Sequence, residues 1–197
     1  MSADVEDFKG EFNSLCHEVG GTPKFREIRI NEGIGFEFHC DSAEEFPDPR
    51  RFIELMKKAS DLSEKFRARG CLTRFSFSIG KHTSFATYIS GEVRSNDERR
   101  HIIVFEKDFP YRYFGSVSSV KNKLNAFMSR ELKGEEGCIY SCSQNVERLK
   151  PPYITTLSCG LNYKEPDFDK MLKIVEKFKD VAEREPKLLG GAGEGLL

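Results

Sequence analysis

Apolar residues recur along this chain at two different periods, and the switches between them mark its elements. Val5, Phe8, Phe12, Leu15, Cys16 and Val19 fall at three- and four-residue steps, which places them on one helical face ended by Gly20-Gly21. Asp48 caps a second helix, Pro49 fits its first turn, and Phe52, Leu55, Met56, Ala59, Leu62 and Phe66 form its buried stripe before Gly70. A third starts after Ser116 and turns Val117, Val120, Leu124, Phe127, Met128 and Leu132 inward. The last begins near Pro166, carries Phe168, Met171, Leu172, Val175, Phe178 and Ala182 on one side, and is closed by Pro186.

Between these helices the period drops to two. Ile28 and Ile30 lead through a turn at Asn31-Glu32-Gly33 into Ile34, Phe36, Phe38 and Cys40, a hairpin with one buried face. Thr73, Phe75, Phe77 and Ile79 alternate with polar residues, and after the turn Gly80-Lys81-His82 so do Phe85, Thr87, Ile89 and Val93. A turn at Asn96-Asp97 precedes the continuous apolar run Ile102–Phe105, which reads as a central strand. Tyr111–Gly115, Cys138–Cys142 and Tyr153–Tyr163 complete the strands, the last two joined by a loop holding Pro151-Pro152. The pattern predicts an α+β fold, a single antiparallel sheet of about six to eight strands with helices packed mainly on one face. Residues 1–189 read as one such domain and 190–197 as a flexible Gly-rich tail.

Composition adds that a core exists. With 197 residues, 17 Phe and 32% charged side chains, the chain reads as a packed interior inside a charged shell that needs no disulfide or metal staple. No stretch approaches the roughly 18 apolar residues of a membrane span, and the acidic start has no apolar export segment. The expected location is the cytoplasm, and the six cysteines (Cys16, Cys40, Cys71, Cys138, Cys142 and Cys159) are accordingly expected as reduced thiols.

Charge is segregated. Residues 1–48 hold 4 basic and 12 acidic side chains, residues 49–133 hold 18 and 9, and residues 134–197 hold 9 and 11. A basic middle suits an anionic partner, or neutralisation by the acidic opening segment on folding or self-association.

Catalytic and metal signatures fail on spacing. Cys138 and Cys142 on one strand would hold their sulfurs ~13 Å apart, too far for a shared ion. Gly80-Lys81-His82-Thr83-Ser84 lacks the upstream glycine and following helix of a P-loop, and Gly-x-Ser-x-Gly is absent. His17, His39, His82 and His101 show no acidic or cysteine partner in sequence. No cofactor is implied.

Glu32-Gly33-Ile34-Gly35-Phe36-Glu37-Phe38 resembles the glycine-aromatic strand motif of the RNA-recognition fold. It departs from that motif at Glu32, where the family has a basic residue, and at Ile34 and His39, where it has aromatics. The family's first strand would precede residue 1, so the resemblance does not enter the expected fold.

Three functional readings follow. The first is a non-catalytic binding module for nucleic acid, with cations for phosphates and rings for bases: Arg74, Lys81, Arg99, Arg100, His101, Tyr111, Arg112, Tyr113, Lys121 and Lys123. The second is a protein-interaction or scaffold subunit that meets a partner or its own copy. The third is an enzyme whose site gathers His82, His101, Glu106 and Asp108 from separate segments. No membrane partner is expected.

Overall fold

The computed structural model describes residues 2–30, 33–45, 48–80, 85–95, 99–151 and 153–189. The turns expected at Asn31-Glu32, Lys81-His82 and Asn96-Asp97, together with Pro152 and the 190–197 tail, lie outside these residues.

Helix α1 (Ser2–Glu18) leads into the hairpin β1 (Thr22–Ile30) and β2 (Gly33–Ser42). Helix α2 (Pro49–Ala68) follows, with Asp48 accepting the Arg50 amide at its start. Strands β3 (Leu72–Ile79), β4 (Thr87–Ser95) and β5 (Arg99–Pro110) come next, then α3 (Phe114–Glu131), β6 (Cys138–Arg148), β7 (Ile154–Tyr163) and α4 (Phe168–Leu189). All seven strands form one sheet in the order β1-β2-β3-β4-β5-β7-β6. Every pairing is antiparallel except β2 with β3, which run parallel because α2 carries the chain back across the sheet. The continuous run Ile102–Phe105 lies in β5, bounded by β4 and β7.

Alternation in the strands sends one set of side chains into a core shared with all four helices. Phe12 of α1 packs on Phe38, Phe75 and Phe77, and Phe66 of α2 packs on Phe36, Phe38 and Phe75. At the other end Phe178 of α4 lies 4.6 Å from Phe105 of β5. Each such ring contributes about 2–3 kcal/mol through burial. Gly91 lets α2 sit this close, since a Cβ there would lie 2.5 Å from Met56 Sδ and 2.8 Å from Phe52 Cζ. The opposite sheet face, where His39, Arg74, Ser76 and Glu92 stand half-buried, is covered by no element among the described residues.

Three expectations are corrected. Tyr111–Gly115 is not a strand: β5 ends at Pro110, Tyr111–Tyr113 make one 3₁₀ turn and α3 starts at Phe114. Pro110 has no amide to extend the ladder, and the alternation of Tyr111-Arg112-Tyr113 lasts only three residues before Phe114 breaks it. Pro186 does not close α4, which continues to Leu189.

The third correction concerns the thiols. Cys16 is disulfide-bonded to Cys40, tying α1 to β2 with Cα atoms 5.6 Å apart, and Cys142 to Cys159, its cross-strand neighbour in β7. Gly21 leaves room for the first bond, because a Cβ there would lie 2.3 Å from Cys40 Sγ. Cys71 and Cys138 are free. Disulfides form where thiols are oxidised, so the cysteines no longer argue for a reducing compartment. No described helix is long and apolar enough to cross a membrane.

Candidate functional site

The fold distributes the basic middle over several places. Arg74 lies on the open sheet face, where its Nε donates to Glu92 and its Nη1 is 3.5 Å from Glu37. Arg94, directly across from Arg74, also donates to Glu92, and Arg26 donates to Glu37. The hydrogen bond from Arg26, then the charges of Arg26 and Arg74, hold Glu37 below the usual carboxylate range against its partial burial. These arginines are matched by carboxylates.

Arg99 and His101 face the helices instead. Arg99 donates to the Ser60 hydroxyl and lies 2.9 Å from Glu64 of α2. His101 is fully buried, with Nε2 2.9 Å from Ser60 Oγ and its ring edge-on to Phe168. Burial, helped by the charge of Arg99, pushes His101 down to about 4, so it is a neutral core residue. Arg100 donates to the Gly137 carbonyl. Lys121 and Lys123 ride on α3, and Lys81 and His82 lie outside the described residues. The described members of the scattered constellation, His101, Glu106 and Asp108, are not assembled either. Glu106 and Asp108 accept from Ser158 and Thr156 on the open face, opposite to the side that buries His101.

One part of the expected patch does come together. Where β5 ends, the Tyr111 amide donates to the Tyr153 carbonyl at 3.1 Å, joining the turn to the start of β7. Gln144 of β6 fixes Phe114, three residues after Tyr111, by donating to its carbonyl at 2.7 Å and accepting from Ser118 at 2.6 Å. The rings of Tyr111, Phe114 and Tyr153 meet there, with centroids 5.9 and 6.2 Å apart. They nevertheless remain 38%, 40% and 49% exposed. The Arg112 guanidinium lies 4.9 Å from the Tyr113 ring centroid. Arg148, which pairs with Ile154 next to Tyr153, and Lys150 beyond it are both exposed. Lys121 follows Phe114 by seven residues, which puts it on the same side of α3 two turns on.

Sequence reasoning found Tyr111, Arg112 and Tyr113 but missed Tyr153 and Arg148, which only the β5–β7 and β6–β7 pairings bring alongside. It also missed the partners of His39. On the open face His39 Nδ1 lies 2.6 Å from Ser76 Oγ and Nε2 lies 2.8 Å from Asp41 Oδ1. The spacing His39-x-Asp41 on a strand was a usable signal, since residues two apart share a face. No group of three or more His, Cys, Asp or Glu is placed to hold a metal among the described residues. The sequence matches no protein-family model, and no curated protein is significantly similar to it.

Proposed function

We propose that the chain is a binding module that takes single-stranded nucleic acid on the corner formed by Tyr111, Phe114 and Tyr153. The observation that carries this reading is the exposure of three contacting rings beside Arg112, Arg148 and Lys150. Exposed rings in contact favour a flat apolar ligand, and base stacking contributes about 1–3 kcal/mol per base. The cations around them meet the phosphates, a sequence-independent and salt-sensitive contribution. The corner itself carries no reacting group. The interface is therefore narrower than the basic middle as a whole, because the open-face arginines are neutralised in place.

A labelled oligonucleotide titrated at low salt tests the reading. Binding that weakens steeply with salt and is lost on Tyr111→Ala with Tyr153→Ala is expected. No binding at low salt, or binding that the double variant leaves unchanged, rejects it.

A second reading, protein interaction or self-association, is favoured by exposed apolar side chains on the β6 edge, Leu149 near the corner and Ile139 at the opposite end of the strand. Ile139 of β6 is 64% exposed, and Leu149 after the strand is 83% exposed. Light scattering decides it: a strict monomer with no co-purifying partner counts against an interface there.

A further inference from the structure

The open face carries a chemical arrangement that the corner does not use. His39 and Asp41 alternate out of β2 on the same side, and Ser76 stands in register with His39 on β3. Asp41 is an acceptor at His39 Nε2. Partial burial would raise Asp41, but the hydrogen bond from His39 and the charges of His39 and Lys24 together hold its carboxyl below the ordinary range. In the neutral form of the His39 imidazole an ionised Asp41 fixes the ring proton on Nε2, which leaves the Nδ1 lone pair to accept the Ser76 hydroxyl at 2.6 Å. Nucleophile, base and orienting group thus lie within hydrogen-bond reach in the required order. The three side chains are half-buried, so a small reagent reaches them.

We propose that Ser76 is an activated nucleophile, with His39 as its base and Asp41 as the positioning residue, and that it accepts acyl groups from esters with good leaving groups. In the first half-reaction the Ser76 hydroxyl proton passes to His39 Nδ1 as Oγ bonds to the acyl carbon. The ester C–O bond then breaks, and the leaving oxygen either takes the proton back from His39 or departs as its anion while His39 gives that proton up to solvent. In the second, water attacks the acyl carbon, its proton passes to His39, and Ser76 Oγ leaves and is reprotonated. The amides of β2, β3 and β4 are engaged in the ladder, so they offer no oxyanion hole. Arg74 comes two residues before Ser76 on the same face and Arg94 stands across from it, although both also hold Glu92. This restricts the reaction to activated esters, for which charge stabilisation matters least.

The test is incubation of the full chain with p-nitrophenyl acetate, followed by peptide mass mapping and release of p-nitrophenolate. Ser76 acetylates at least tenfold faster than Ser78 and Ser90, its neighbours on the same face, and His39→Ala slows that labelling on the order of 100-fold. Asp41→Asn lowers it as well while the melting curve is retained. Equal labelling of the three serines within the unmodified protein overturns the proposal without any variant. So does Ser76 labelling that His39→Ala or Asp41→Asn leaves unchanged.

Discussion

Arg74 and Arg112 come from the same basic stretch, yet the sheet treats them oppositely. Arg74 faces Glu37 and Glu92 across two strand pairings, and its charge is taken up on the open face. Arg112 sits in the turn after β5, against the Tyr113 ring, with no carboxylate partner among the described residues. A surplus of positive residues therefore does not become a positive surface by itself. It does so only where the pairing of strands fails to bring acidic residues opposite, which here happens at the corner.

The largest test of this contrast is on binding. Tyr111→Ala with Tyr153→Ala removes two stacking rings and weakens oligonucleotide affinity on the order of 100-fold, from about 1–3 kcal/mol per ring, whereas Arg74→Ala changes it less than about twofold. Fluorescence anisotropy at fixed salt measures both.

His101 shows a third fate for the basic stretch, absorption into the core, and it predicts an acid-sensitive stability. Its folded value is pushed down to about 4 from an ordinary 6.5, so the unfolded chain binds the proton first as pH falls. Stability is complete above pH 6.5 and is lost progressively down to about pH 4, by up to about 3 kcal/mol. Urea denaturation across that range should lose part of its slope in His101→Gln.

Glu92→Gln tests the neutralised side. It frees Arg74 and Arg94, costs about 1 kcal/mol of stability, and raises the salt at which the protein leaves a heparin column. Unchanged elution would mean that the open-face arginines are not held in check by Glu92. The smallest effect is on salt dependence: Arg112→Gln should reduce the slope of log affinity against log salt by roughly 0.7.

The amino-acid order by itself determined which side chains are buried, because burial along a helix or strand follows a local period. The stripe Phe52–Phe66, the alternation Phe75–Phe77–Ile79 and the α+β class were all legible that way. The alternation Tyr111-Arg112-Tyr113 is too short to separate a strand from a turn, and the structure makes it a turn. Partnerships between distant segments were decided only by the tertiary structure. The parallel register of β2 with β3 sets His39 against Ser76, the β3–β4 pairing sets Arg74 against Glu92, and the β5–β7 pairing brings Tyr111 to Tyr153. The disulfides Cys16–Cys40 and Cys142–Cys159 arise in the same way. The physical reason is one of range. Hydrophobic periodicity is written over a few neighbouring residues, whereas register is fixed by the packing of the whole sheet against its helices.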